Sequence, residues 1–321
     1  MKHFWNVCLA ACVAAALGPL TGCAPDPTYE TDAYEAEHLR GSMHALTATM
    51  VHDIFSPPQA ARAYAYPSIA AYEAVRHLDP SAESMAGRLN GLEQISEPDQ
   101  PILAPLASLR AFLRVGQALV FSEERIASYA EARYEAFRQM GVPSELFDAS
   151  IAYGDLVAEE VLTWASSDYY LETRSYPKFT VTGEPGVWQP TPPAYMDGVE
   201  PHWREIRPFV LDSAAQFSPP PPPPYSVEEG SPFMELVEEV YEVGNELTYE
   251  QRAIASFWDC NPYVMHTRGH VMFATKKITP GGHWIGIAGH ASRATDADFV
   301  STARTYALTA IALSDAFISA W

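Results

Sequence analysis

The chain has 321 residues, 48% of them hydrophobic, with 40 Asp and Glu against 20 Lys and Arg. This length and hydrophobic content suffice for one large packed core or two smaller ones. A net charge of −20 repels phosphate backbones, so nucleic acid is excluded as an expected partner.

The first 22 residues have the features of an export signal that ends at a lipidated cysteine. Lys2 and His3 precede an apolar run over residues 8–20, which is shorter than the roughly 20 residues of a membrane-spanning helix. Small residues then lead to Cys23, as in lipoprotein signals, and Ala24 is typical of sorting to the outer membrane. We expect cleavage before Cys23 and a lipid on its thiol, which would anchor the protein in the cell envelope. An ordinary signal with an incidental cysteine is the alternative, although such sites prefer an A-x-A pattern.

Cysteine usage excludes an intramolecular disulfide in the mature chain. Cys8 and Cys12 leave with the signal and Cys23 takes the lipid, so Cys260 has no partner. Stability must therefore come from a packed core.

Residues 23–32 are predicted to form a tether and residues 33–175 a set of helices. The first helix is predicted over 31–54, and Ser56-Pro57 begins the second, because proline suits the first helical position. Pro67 predicts a kink or restart within it. Further helices are predicted over 102–121, from the cap Ser122 to about 141, and over 146–164.

The composition changes between residues 176 and 230, a segment that we call the belt. It is rich in Pro, Gly and aromatic residues and includes six consecutive prolines, 219–224, which should be extended. A disordered linker is one interpretation. We favour an ordered, irregular segment packed on the helices, because five aromatic residues are too apolar for a solvated linker. They are Trp188, Tyr195, Trp203, Phe209 and Phe217.

Helices of the same domain are predicted to resume over residues 231–321. Ser231-Pro232 begins one, and Thr248-x-x-Gln251 has the form of a capping box and begins another. Gly281-Gly282 predicts a break, and Thr295 is predicted to begin a buried last helix. That apolar helix stops at Trp321, as expected either for a docked terminus or for a domain cut within its fold. The predicted fold class is mainly α: a helical bundle with an irregular belt, forming an incomplete domain.

Several segments, in this order, resemble the vanadium-dependent haloperoxidase group of the type 2 phosphatidic acid phosphatase superfamily. They span about residues 40–321. The matching pieces are AYAYPSIAAYEA (63–74), GVWQPTPP (186–193), PHW (201–203), RPF (207–209), FWD (257–259), TPGGHW (279–284) and the final stretch 307–321. The resemblance implies a helical bundle and, for the complete enzyme, vanadate as cofactor and halide oxidation by peroxide or phosphate-ester hydrolysis as the activity.

The anion-binding motifs of that family are missing from this sequence. In the family, Lys-x6-Arg-Pro, Pro-Ser-Gly-His and Ser-Arg-x5-His supply cations for vanadate or phosphate oxygens and histidines for ligation and proton transfer. Lys276 and Lys277 have His283 and Trp284 seven positions on, and Glu200 lies seven positions before Arg207. We identify no catalytic or cofactor-binding residue, and expect the chain to be a truncated form, inactive alone, with no cofactor of its own.

Other motifs in the chain give only weak support for a catalytic or metal-binding site. His266 and His270, four apart, would share one helical face as metal ligands, but Thr267 stands where a zinc protease needs Glu. Cys260 beside a histidine would be a nucleophile, although a buried inert thiol is commoner. Ser292-Arg293 opens the third family motif, yet Phe299 replaces its histidine.

Two functions stay open. One is a truncated haloperoxidase or acid-phosphatase family lipoprotein, with a homo-oligomer or a completing C-terminal polypeptide as expected partners. The alternative is a non-catalytic envelope lipoprotein whose aromatic residues Trp188, Tyr195 and Trp203 bind a partner or glycan.

Overall fold

The computed structural model describes residues 28–192, 194–262 and 264–321. The predicted signal peptide and the lipidation site Cys23 lie outside these residues. None of the helices within them is both long and apolar enough to cross a membrane.

The described fold is mainly α, as predicted, with one small antiparallel hairpin. The N-terminal part contains α1 (Tyr29–Asp32), α2 (Glu37–Asp53), α3 (Pro57–Val75), α4 (Ala104–Ala118), α5 (Glu123–Gln139), α6 (Ser144–Ala165) and α7 (Tyr170–Thr173). The later part contains α8 (Pro232–Glu246), α9 (Tyr249–Trp258), β1 (Val264–Arg268), β2 (Val271–Thr275), α10 (Pro280–Ala294) and α11 (Phe299–Ala320). Single 3-10 turns cover Arg76–Leu78 and Trp203–Glu205.

Helix α3 is the centre of the core. It packs mainly against α4 and α11, and also against α6 and α10. All of its residues except Pro57 and Gln59 are buried, and many are alanines, whose short side chains let the surrounding helices approach closely. The core is therefore built around one helix that is enclosed on all sides.

A close approach between α4 and α6 depends on Gly154. A Cβ atom at this position would lie 2.6 Å from the carbonyl oxygen of Ala107 and 2.6 Å from Cβ of Arg110. Such distances are far below van der Waals contact, so only glycine fits here without moving α4.

Several predicted boundaries are confirmed and others are wrong. Ser56 caps α3 and the capping box at Thr248 begins α9, as predicted. Pro67 neither ends nor restarts α3, because the helix continues through it inside the packed core. Gly281-Gly282 lies in the first turn of α10 instead of at a break.

The predicted starts of two other helices also need correction. The last helix begins at Phe299, capped by Asp298 whose carboxylate accepts from the Ser301 N–H, and not at Thr295. Ser122 stands at the N-cap of α5 but makes no capping bond, because its hydroxyl donates to Asp53. The Asp53 carboxylate thus binds the Ser122 hydroxyl that would otherwise cap α5.

The belt is divided between buried and exposed aromatic residues. Trp203 and Phe209 are buried, as expected for a segment packed on the helices, whereas Trp188, Tyr195 and Phe217 are exposed. Trp203 packs with Ile206 against Ile318 of α11. The part of the belt around residues 203–209 is therefore the part that joins the core.

Helices α8 and α9 differ from the rest of the molecule because neither contains a buried residue. They follow the exposed part of the belt and precede the hairpin. Large hydrophobic side chains on both helices face outward, including Val240, Tyr241 and Phe257.

Candidate functional site

The buried carboxylate of Asp168 organises a polar cluster beneath the belt. Asp168 is 1% exposed, and its Oδ2 accepts from Arg62 Nε at 2.7 Å and from the Tyr66 hydroxyl at 2.8 Å. Arg62 and Tyr66 are four residues apart on α3, so their side chains share one face. Burial and the negative charge of Asp168 raise the pKa of Tyr66, which therefore stays protonated and donates its hydrogen bond.

Arg207 of the belt closes this cluster from the other side. Its guanidinium donates to the Trp164 carbonyl at 3.0 Å and to the Ser167 hydroxyl at 2.9 Å, and lies over the Trp164 ring. Its backbone N–H donates to the Asp168 carbonyl at 3.0 Å. Arg207 thus fastens the belt to the end of α6.

Asp315 fastens the following belt residues to α11. Its carboxylate accepts three backbone N–H groups, from Phe209 at 2.6 Å, Val210 at 2.8 Å and Leu211 at 3.1 Å. The carboxylate thus provides acceptors for three backbone N–H groups in a segment that forms no regular secondary structure. The segments 63–74, 207–209 and 307–321, far apart in sequence, therefore meet at one place in the fold.

This meeting place does not supply an oxyanion site. In the family that the sequence resembles, vanadate or phosphate is held by several unpaired cations together with a histidine. Here Arg62 is paired with Asp168, and Arg207 donates to two carbonyls and two hydroxyls. Elsewhere in the helical core, Arg76 pairs with Glu73 and Arg110 with Asp155. These arginines position helices and the belt, so this meeting place does not fit vanadate.

A second cluster joins Cys260 to the start of α10. Cys260 Sγ lies 2.8 Å from His283 Nδ1, and the indole of Trp258 stacks on the imidazole with ring centroids 4.8 Å apart. Burial raises the pKa of the Cys260 thiol, which favours the protonated form. A protonated thiol donates to Nδ1 and fixes the orientation of the ring. The contact orients the imidazole ring, and a thiol whose pKa is raised has less of the nucleophilic thiolate form.

Gly282 lets α10 approach α3 beside this cluster. A Cβ atom there would lie 2.8 Å from the Tyr64 hydroxyl and 2.7 Å from Ile278. The TPGGHW segment therefore has a packing role that the sequence alone did not indicate.

The histidines considered as metal ligands do not share a helix. His266 lies in β1, opposite Phe273 in the register, and His270 lies in the turn that joins β1 to β2. The helical spacing on which that hypothesis rested is therefore wrong. Within the described residues, no group of three or more His, Cys, Asp or Glu side chains is placed to hold a metal ion.

The partial match at Ser292-Arg293 is structural. The Ser292 hydroxyl lies 2.7 Å from that of Thr302, Arg293 donates to Glu37, and Phe299 is buried in the core. These residues join α10 to α2 and α11.

A cavity of about 890 Å³ opens beside the belt and α11. Phe179 and Trp188 form a T-shaped pair at 5.6 Å on one side, and the Trp321 indole N–H donates to the Val199 carbonyl at 2.8 Å on the other. Of the three aromatic residues proposed for ligand binding, only Trp188 lines this cavity. Trp203 is buried in the core, and Tyr195 is exposed but is not part of the lining.

Sequence reasoning missed Asp168, which stands in a polar stretch without any motif. Asp315 belongs to a segment that carried the family resemblance, but its acceptor role was not predicted. The only available signal for Asp315 was an acidic residue inside an otherwise apolar helix, which normally needs a specific partner.

The chain is similar to a solved structure described as the crystal structure of the first bacterial vanadium-dependent iodoperoxidase. The two share 48% sequence identity and superpose with a TM-score of 0.82, over 88% of this chain and 68% of that one. No protein-family model matches the chain, and no significant match exists among curated proteins.

Proposed function

The chain belongs to the vanadium-dependent haloperoxidase group, and from this premise we propose that it is a scaffold of that group without the oxyanion site. In this proposal it has neither peroxidase nor phosphatase activity on its own. Two observations together carry the proposal. The chain is 48% identical to an iodoperoxidase but leaves about a third of that protein unmatched. In addition, the anion-binding motifs of the family are missing from its sequence.

The chemistry of the described residues supports this proposal. A vanadate or phosphate centre draws its affinity from unpaired cations in a water-poor pocket. The core arginines described above are already neutralised or hydrogen-bonded, so recruiting one of them for an anion would leave Asp168 or the Trp164 carbonyl of α6 without its partner. That loss opposes the gain from binding.

The test is an assay of the purified chain with vanadate, hydrogen peroxide, and iodide or bromide, with the similar iodoperoxidase as positive control. We expect no halide oxidation above the rate of free vanadate, and no broadening of the free-vanadate ⁵¹V NMR signal at micromolar protein. Vanadate-dependent turnover by the chain alone would contradict the proposal.

We further propose that the scaffold is held at the outer membrane by lipid on Cys23. The sequence of the first 24 residues supports this. Mass spectrometry of the mature N-terminus should show a diacylglyceryl group on Cys23, and Cys23→Ser should move the protein from the detergent phase to the aqueous phase. An unmodified Cys23 in the mature protein would contradict it.

The second candidate function is binding of a partner or glycan without catalysis, which the cavity beside Trp188 favours. Half of the Trp188 side chain is exposed (49%) next to Phe179, which suits stacking on a sugar ring. Saccharides should then change the tryptophan fluorescence of the chain but not that of Trp188→Ala. Fluorescence unchanged by every saccharide tried would count against this function.

A further inference from the structure

A second cavity lies where the start of α3 meets the ends of α4 and α6 and the short helix α7. We call it the α3–α7 cavity, and its walls include Gln59, Arg62, Ala118, Leu162 and Tyr170. It shares no lining residue with the cavity beside Trp188. Its volume of about 300 Å³ is at the lower end of the range of small-molecule sites, roughly 300–1,000 Å³.

Most of the wall of the α3–α7 cavity is apolar. The rings of Phe55 and Phe121 contact each other with centroids 5.0 Å apart, and Val120 and Leu162 continue the same lining. Phe121 and Leu171 line the cavity although they are 69% and 68% exposed, so they lie at its mouth. An aromatic wall with apolar residues at the entrance suits an occupant with an apolar, flat body.

The polar part of the wall carries no net charge. Arg62 Nε lies 2.7 Å from Asp168 Oδ2, and the guanidinium also lies over the Tyr170 ring, 4.4 Å from its centroid. An anion in the cavity would face the Asp168 carboxylate, and a cation would face the Arg62 guanidinium. Burying a charge without a partner is costly, so the occupant should be neutral.

Gln59 and Tyr170 provide the hydrogen-bonding groups for a neutral occupant. Gln59 Nε2 donates to the Tyr170 hydroxyl at 3.3 Å. Among the residues that the structure describes, neither the phenolic proton of Tyr170 nor Gln59 Oε1 has a hydrogen-bond partner. Burial raises the pKa of Tyr170, so this proton is present at neutral pH. One free donor beside one free acceptor matches a hydroxyl group, which both accepts and donates.

We propose that the α3–α7 cavity binds a small, neutral alcohol that carries an aromatic ring. The ring packs on the apolar wall, and the hydroxyl accepts from Tyr170 and donates to Gln59. None of the residues that form this site belongs to an oxyanion motif. The proposal is therefore independent of the halide assay that tests the proposed function.

The experiment titrates the full chain with benzyl alcohol by calorimetry and compares three compounds of nearly the same shape. Benzyl alcohol should bind with a dissociation constant below about 1 mM. Benzoate and benzylammonium, which are charged, and toluene, which has no hydroxyl, should each bind at least tenfold more weakly. No binding of benzyl alcohol at about 10 mM, or equal binding of any of the three other compounds, would overturn the proposal.

Two tryptophan variants locate the site. Ala118 lines the cavity at the end of α4 and is exposed, so Ala118→Trp fills the cavity without disturbing the core and should weaken benzyl alcohol binding at least tenfold. Ala132→Trp makes the same change at an exposed position of α5 outside the lining and should leave the affinity unchanged. Equal affinities of the two variants would contradict the assignment to this cavity.

Tyr170→Phe tests the hydrogen bond separately from the packing. It keeps the ring over Arg62 but removes the hydroxyl, so the affinity for benzyl alcohol should fall about two- to tenfold while that for toluene stays the same. An equal loss for both compounds, or no loss for either, would refute the role of this hydroxyl in binding. Trp188→Ala should not change the affinity for benzyl alcohol. A loss in that variant would place the ligand in the other cavity and overturn the proposal.

Discussion

Helices α3 and α8 begin with the same kind of cap but lie in opposite environments, one buried and the other exposed. Each has a serine cap followed by proline at the first helical position. The Ser56 hydroxyl accepts from the Gln59 N–H at 3.4 Å, and the Ser231 hydroxyl accepts from the Met234 N–H at 3.3 Å. Yet α3 is almost wholly buried and α8 has no buried residue. The comparison teaches that local sequence decides where a helix begins, while its neighbours decide whether it is buried.

The two helices should therefore differ in what stabilises them. Helix α3 is held by side chains from four other helices and by a buried ion pair, so it should open only when the molecule unfolds. Helix α8 has its cap and its internal hydrogen bonds, so it should open locally at much lower cost.

The largest effect is expected from removing the charge that holds Arg62 of α3. Asp168→Asn leaves Arg62 buried without its counter-ion and should lower the free energy of unfolding by about 3–5 kcal/mol. Urea unfolding followed by circular dichroism measures it. The control Asp197→Asn removes an exposed partner of Lys178 and should cost less than about 1 kcal/mol. Similar losses for both variants would mean that Asp168 does not hold the core.

A matched pair of alanine substitutions compares the two regions directly. Gly154→Ala should cost about 1–3 kcal/mol of global stability, because its Cβ would collide with the backbone of α4. Gly244→Ala meets no neighbour and should stabilise α8 by about 0.5–1 kcal/mol, the helical advantage of alanine. Global unfolding measures the first and amide exchange within α8 the second. A loss of α8 protection in Gly244→Ala would show that its side is already covered.

The smallest expected effect is a dependence of the free energy of unfolding on pH, which arises in the N-terminal part of the molecule. Burial lowers the pKa of His38 and of His77 below the ordinary value of 6.5. As the pH falls, these histidines bind protons at a higher pH in the unfolded chain than in the folded one. The free energy of unfolding should therefore fall as the pH drops below about 6.5. Urea titrations between pH 7.5 and 5 should show this slope, and His38→Gln should reduce it. The same change at exposed His290 should leave the slope intact.

Much of the fold was predictable because a few adjacent residues determine where a helix begins. Ser56-Pro57 and the capping box at Thr248 needed no tertiary information. The helix does not restart at Pro67, because the packing around α3 outweighs the loss of one backbone hydrogen bond. The spacing of four between His266 and His270 fits one face of a helix, but it also fits a strand followed by a turn, which is where the structure places them.

The candidate site was less predictable than the fold. The family and the missing oxyanion motifs were readable from short segments of sequence, and the comparison confirms the family. The roles of Asp168 and Asp315 were not readable, because each binds groups more than a hundred residues away along the chain. Composition also could not separate buried Trp203 from exposed Trp188, since both stand in a belt rich in proline and aromatic residues.

The packing of α3 against α11 has a consequence for biosynthesis. Helix α3 leaves the ribosome early, but the helix that covers one of its sides is the last described element to be made. Until α11 arrives, the alanine- and tyrosine-rich surface of α3 stays open to other apolar segments, and the belt has no Asp315 to hold it. The contacts between α3 and α11 can therefore form only after α11 has been translated, and until then the exposed surface of α3 favours premature association.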